Sequence, residues 1–131
     1  MPACVADTSA LLAYLLDEPG ADLAAEWLDR GAVVSTVNVQ ELVSKIVRDG
    51  GTREVAAATV TDLALEGLHD LTVDLAVEGG AMIPQTRAHG LSHGDRACLA
   101  LARHLGLPAV TADRAWARVA EALEVRVELV R

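Results

Sequence analysis

Five short apolar runs punctuate this chain, at 3–7, 32–36, 68–73, 108–113 and 125–130, and stretches with helical apolar spacing fill the gaps between them. Strand-length runs alternating with helices restrict the fold to a parallel sheet covered by helices on both faces. The 131 residues fit one domain, 1–131, large enough to bury a hydrophobic core without staples. That core has to be built from Ala, Leu and Val, because Tyr14, Trp27 and Trp116 are the only aromatic residues.

The first run, ACVAD, ends in an acid and reads as a buried first strand. SALLAYLLDE then places Leu11, Leu12, Leu15 and Leu16 at helical spacing until Pro19-Gly20 breaks the pattern. A second helix runs from about Ala21 to Asp29 and stops at Gly31, ahead of the strand at 32–36. A third is expected over Asn38–Asp49, stopped by Gly50-Gly51, and a fourth, Ala-rich, from Thr52 to about Glu66. After the strand at 68–73, the segment Asp74–His89 looks helical but contains Gly79-Gly80 and Pro84. Proline lacks a donor and clashes with the preceding turn, which predicts a break near Ile83. Ser92–Leu105, ended by Gly106, is the cleanest helix, and Arg114–Leu123 is the last.

Four acids stand where strands give way to helices or inside a first helical turn: Asp7, Glu41, Asp95 and Asp113. In an open parallel sheet, functional groups gather beyond the carboxyl ends of the strands, where strand order reverses. Asp7 ends the first strand and Asp113 follows the fourth, while Asp95 and Glu41 each lie one turn into a helix, so all four can reach one pocket. Helix capping is the competing explanation. Ser92–Asp95 and Asn38–Glu41 have capping-box spacing, and Asp7 and Asp113 stand where N-caps belong. Capping accounts for each acid singly but not for their shared edge. A carboxylate cluster without matching Lys or Arg is costly unless a divalent cation sits among them, which points to metal-dependent phosphoryl chemistry. The small neighbours Thr8, Ser9 and Gly94 leave room for an ion or a phosphate.

The net charge of −8, with ten Arg and the single Lys45, counts mildly against nucleic acid, although arginine grips phosphate well. Cys4 and Cys98 read as buried free thiols, and the four histidines lack the paired spacing of a zinc site. No signal peptide and no membrane-length apolar run is visible, so a cytoplasmic location is expected and no membrane partner.

The blocks DTSALLAYL, STVNVQELV, LSHGDRACLALA and VTADRAW, in that order and spanning essentially the whole chain, resemble the four motif blocks of the PIN-domain family, most of all its VapC-like toxin branch. The resemblance implies a three-layer α/β/α domain with a short parallel sheet of four to five strands. It implies that Asp7, Glu41, Asp95 and Asp113 form a catalytic acidic quartet. Thr8 or Ser9, Asn38 and Thr111 fall where the family carries supporting polar residues. His93, in place of a common apolar residue, and the Gly79-Gly80 and Pro84 disturbance depart from the pattern without touching an acid.

The activity so implied is hydrolysis of RNA by a metal-dependent endoribonuclease, with Mg²⁺ or Mn²⁺ as cofactor. Mg²⁺ is usually held by one or two carboxylates plus substrate phosphate. Asp7 and Asp95 are the expected direct ligands, Asp113 binds directly or through water, and Glu41 orients a water or a second ion. Arg96 and Arg114, each following an acid, are expected either to flank the pocket and grip RNA phosphates or to form surface ion pairs. Trp116 is expected in the core, and His93 is a minor candidate for a general base. Expected partners are tRNA or rRNA as substrate, a small antitoxin protein, and a second copy of the chain through Leu and Val on the third and fourth helices. A catalytically inactive PIN-like scaffold and an RNA-processing nuclease that is not a toxin are the alternatives. A receiver-like phosphoryl acceptor needs a Lys at the end of a late strand, and Lys45 lies after the second.

Overall fold

The structure, a computed structural model, describes residues 1–131. Five strands form one sheet in the order β3-β2-β1-β4-β5: β1 (Cys4–Ala6), β2 (Ala32–Ser35), β3 (Gly67–His69), β4 (Ala109–Thr111) and β5 (Val127–Leu129). Every neighbouring pair is parallel. Successive strands step outward from β1 in one direction to β3, and the chain then returns to the other side of β1 for β4. The order therefore reverses between β1 and β4, the position where such sheets gather ligands.

Side chains alternate between the two faces of each strand, and that alternation divides the interior into two cores. Val5, Val33 and Ala109 point to one face, where they meet Leu99, Leu101, Trp116 and Leu123. Cys4, Ala6, Val34 and Val110 point to the other, against Leu11, Trp27 and Leu42. The second core is closed by α1 (Thr8–Leu15), α2 (Ala21–Gly31), α3 (Thr36–Arg48) and α4 (Arg53–Asp62). The first is closed by α5 (Val73–Gly80), α6 (Ile83–Thr86), α7 (His93–Leu105), a 3-10 turn at Arg114–Arg118 and α8 (Ala120–Leu123). The result is the expected three-layer α/β/α arrangement. Trp116 is fully buried, as expected. No helix is long and apolar enough to cross a membrane.

Several boundaries differ from the sequence reading, each for a local reason. α3 begins at Thr36, because the Ser35 hydroxyl accepts the Val37 N–H and starts the helix there. Asn38 is consequently inside the helix, and no capping box forms from Asn38 to Glu41. α4 stops at Asp62, and Ala64 takes a left-handed conformation (φ 51°). The third strand is Gly67–His69 and not 68–73, because Thr72 caps α5 by accepting the Leu75 N–H and draws the chain out of the sheet. The segment Asp74–His89 divides into α5, α6 and a 3-10 turn at Arg87–His89; Pro84 sits in the first turn of α6, where its missing donor costs nothing. The last helix is likewise split, with a 3-10 turn preceding α8.

Candidate active site

Asp7 leaves the C-terminal end of β1 with its backbone still in the ladder, its N–H donating to the Val110 carbonyl of β4 at 3.0 Å. The side chain is 3 % exposed. Its Oδ1 accepts the Ala10 N–H at 2.9 Å, which starts α1. Two hydroxyls complete the shell: Ser9 at 2.8 and 2.9 Å from the two carboxylate oxygens, and Thr111 at 2.7 Å from Oδ2. Both hydroxyls are themselves hydrogen-bond acceptors, from the Ala112 N–H (to Ser9) and the Asp113 N–H (to Thr111). A hydroxyl has a single proton to give, and these backbone donors hold each oxygen so that the proton is available to Asp7. The tip of β4 thus secures the acid at the tip of β1.

Glu41 is held from two sides. Thr8 Oγ1 donates to its Oε1 at 2.8 Å, and Asn38 Nδ2 donates to the same oxygen at 2.7 Å. Asn38 is 1 % exposed and also donates to the Gly94 carbonyl at 3.1 Å, which joins α3 to the start of α7. Those two acceptors fix which end of the amide faces them and leave its buried Oδ1 unpartnered. Gly94 makes room for this arrangement: a β-carbon there would collide with all three carboxyl atoms of Glu41, which would have to move aside. The space over Gly94, read from sequence as room for an ion, is filled by Glu41.

Asp95 and Asp113 combine capping with access to the same edge. Asp95 completes a capping box with Ser92, accepting its N–H at 2.9 Å while the Ser92 hydroxyl accepts the Asp95 N–H at 3.3 Å. Asp113 is exposed and accepts the Ala115 N–H at 3.0 Å to start the 3-10 turn. One oxygen each of Glu41, Asp95 and Asp113 has no protein donor.

The acids feel one another. Burial pushes the Asp7 carboxyl up to about 6, against the pull of its donors, and the charge of Asp95 adds to the rise. Burial also raises Asp95, with Glu41 and Asp113 contributing like charge. Asp95 is therefore the hub through which the four carboxylates couple. Cys98, fully buried, has its thiol driven up by burial and by the same acids, and no charged nucleophile forms there.

The two arginines separate. Arg96 is 5 % exposed; its Nη1 donates to the Leu91 carbonyl at 2.9 Å and its Nη2 meets His93 Nδ1 at 3.0 Å. It is neither a surface ion pair nor an exposed phosphate grip, because its guanidinium ties the loop before α7 to the first turn of that helix. Since Arg96 can only donate, His93 Nδ1 is the acceptor and the neutral ring carries its proton on Nε2. That leaves His93 without a free basic nitrogen, contrary to a general-base role. Arg114 is exposed, its Nε directed to the Arg131 carbonyl at 3.4 Å.

No three His, Cys, Asp or Glu side chains converge closely enough to hold a metal ion among them. What the site offers instead is a set of hard oxygen donors, three of them with an open oxygen, and no cation among them. That chemistry fits Mg²⁺ or Mn²⁺, ions that keep several waters and take one or two carboxylates, and does not fit an all-protein site such as zinc's.

The same fold is found in toxin–antitoxin structures. The chain is similar to a DNA-bound VapBC from Salmonella typhimurium at 19 % identity and TM-score 0.76, covering 100 % of both chains. It is also similar to VapC20 of Mycobacterium tuberculosis, a toxin cleaving the sarcin-ricin loop, at 21 % identity and TM-score 0.67, covering 86 % of this chain and 91 % of that one. FitAcB from Neisseria gonorrhoeae aligns at 17 % identity and TM-score 0.68, covering 97 % of each. No curated protein matches the sequence. The PIN domain profile matches residues 4–122, the stretch that carries all four acids, most of both cores and the β1–β4 switch point: the chain belongs to the PIN-domain family.

Proposed function

We propose that this protein is a metal-dependent endoribonuclease and the toxin of a toxin–antitoxin pair. The observation that carries the reading is the acidic edge itself: four carboxylates gathered at the β1–β4 switch point, three with an open oxygen, and Arg96, next to Asp95 in the chain, turned to the Leu91 carbonyl. The family membership and the VapBC-type fold support it.

Asp7 and Asp95 would hold the metal, with Asp113 completing the set directly or through water. Bound there, a divalent ion supplies charge to offset the phosphate and lowers the pKa of the attacking water. Glu41, fixed through Oε1 by Thr8 and Asn38, presents Oε2 to orient that water for in-line attack. Ser9 and Thr111 keep Asp7 ionised by donating to it, and its burial excludes bulk water from the acid. Structured RNA, tRNA or rRNA, is the proposed substrate class; the sarcin-ricin loop specificity named for the M. tuberculosis toxin supports the ribosomal member of that pair. The VapBC and FitAB complexes support a small antitoxin as partner. A homodimer is proposed as well. Val47 on α3 and Val55 on α4 are exposed, but a larger apolar surface lies on and beside β3 and α5, at Leu68, Leu71, Val73 and Val77.

A labelled RNA pool incubated with the protein and Mg²⁺ or Mn²⁺, against an EDTA control, tests the nuclease claim. Cleavage by the wild type that is lost both in EDTA and in Asp7→Asn supports it. Absence of cleavage under either metal, or equal cleavage by Asp7→Asn, overturns it in favour of an inactive scaffold or a contaminating enzyme.

A further inference from the structure

From Glu41 a polar groove of about 420 Å³ continues along α3, between that helix and the start of α7. Its lining includes Gln40, Glu41, Lys45, Arg48, Ser92 and His93. Glu41, Lys45 and Arg48 are spaced four and three residues apart on α3, so they lie on one face, and the two cations follow the acid by about one and two helical turns.

We propose that this groove is the track for the RNA strand beside the scissile phosphate, with Lys45 and Arg48 holding successive backbone phosphates and His93 donating through Nε2–H. This rests on the nuclease reading above. Three observations favour a polyanion as the occupant. First, the chain carries a net charge of −8 and its reacting edge is acidic, so RNA needs local cations to approach it. Second, Lys45, the only lysine of the chain, makes no salt bridge here, and Arg48 reaches only Asp49, at 4.0 Å with both side chains largely exposed. Four arginines are engaged elsewhere, Arg103 with Glu78, Arg126 with Glu128, Arg131 with Glu18 and Arg30 stacked on Trp27, while Arg53, Arg87 and Arg118, which also make no ion pair, do not line the groove. Third, the His93 tautomer set by Arg96 turns a residue at the groove wall into a neutral donor, which suits a phosphate or a 2′-hydroxyl.

The test compares wild type with Lys45→Gln/Arg48→Gln, and with Arg48→Glu as a second variant. Arg126→Gln, on the opposite edge of the sheet before β5, serves as a control for net charge. Binding of a labelled mixed-sequence single-stranded RNA is measured against salt concentration, and cleavage kinetics are measured with Mn²⁺. Loss of two phosphate contacts lowers the slope of log affinity against log salt by about 1.4, at about 0.7 per contact for single strands. KM is expected to rise several-fold while kcat stays within twofold, with a larger rise for Arg48→Glu and none for Arg126→Gln. Wild-type cleavage with unchanged KM and salt slope in the double variant overturns the groove and leaves the nuclease reading standing. Wild-type RNA binding with the expected slope change but no cleavage under any metal overturns the nuclease reading and leaves the groove. Unchanged RNA behaviour with loss of inhibition by a partner protein assigns the groove to that protein and overturns the proposal.

Discussion

The carboxylate of Glu41 occupies the space directly above Gly94 in which a β-carbon would lie. Thr8 and Asn38 hold the acid through Oε1, and the space left to it is the open groove along α3, away from both donors. Gly94→Ala therefore displaces Glu41 from its donors. The overpacking is expected to cost about 1–3 kcal/mol of stability, and cleavage is expected to fall far more than stability does. Denaturant melts alongside initial rates check this; wild-type rates in a folded Gly94→Ala protein would contradict it.

Asp7 makes the metal-free protein sensitive to pH in an unusual sense. Its folded-state carboxyl is raised to about 6 from an ordinary 3.8. A raised value means that the folded form binds the proton more tightly, so the stabilisation from protonation is full below about 3.8 and lost as pH rises through about 6. The shift corresponds to about 3 kcal/mol. Asp7→Asn should abolish this component and be more stable than wild type, without metal, above about pH 7. The difference between the two proteins, followed by urea denaturation from acid to neutral pH, isolates Asp7 from the other acids; a difference that does not vary with pH contradicts the assignment.

Divalent metal should reverse that ordering. An ion bound to ionised Asp7 and Asp95 stabilises only the folded form, by about 2.7 kcal/mol at a concentration a hundred times its Kd. Thermal melts with and without Mn²⁺ should show a rise for wild type that fades as pH falls through about 6, and little rise for Asp7→Asn or Asp95→Asn. An equal rise in all three would place the ion elsewhere.

Thr111 offers a finer probe of the same acid. Thr111→Val keeps the shape but removes a donor that lowers the Asp7 pKa, and deprives the Asp113 N–H of its acceptor. The acidic limb of the kcat/KM profile should move to higher pH. An unmoved limb with reduced kcat would mean that Thr111 only supports the loop.

Much of this was legible in the sequence because it follows from spacing. Short apolar runs between helical patterns imply the parallel sheet, and acids at the ends of the first and fourth runs converge once those strands pair side by side. Asn38 and Glu41, three apart, have capping-box spacing, and the family resemblance makes Asn38 a supporting residue; because Ser35 starts the helix earlier, the pair forms no cap and Asn38 instead donates to the Glu41 carboxylate. For Arg96, adjacency to an acid leaves the side chain's direction open between pocket and surface, and the structure takes neither. One step along a helix turns a side chain by about 100°, and here that step points it toward Leu91 and His93. The role of Gly94 depends on a contact between helices distant in sequence, which no local pattern encodes.

Arg96 is accordingly expected to matter to folding, and to reach the substrate only through His93. Arg96→Met leaves the Leu91 carbonyl without its donor, at about 1–3 kcal/mol, and releases His93. Urea denaturation should register the loss, with the RNA KM of the folded variant rising no more than in His93→Ala, because Arg96 meets the groove only through His93. A large KM effect without a stability effect would return Arg96 to the substrate.

Asp7, Asp95 and Asp113 each start the helical turn that follows them. Replacing a capping Asp by Ala costs about 1 kcal/mol, and a domain of this kind has only about 5–15 kcal/mol to lose. An inactive variant made by alanine substitution would therefore also be a loosened one, and its failure to bind a partner or harm a cell would be ambiguous. Asparagine retains a carbonyl oxygen to cap the turn while removing the charge. For this protein the choice between Asn and Ala decides whether a dead enzyme is still the same molecule.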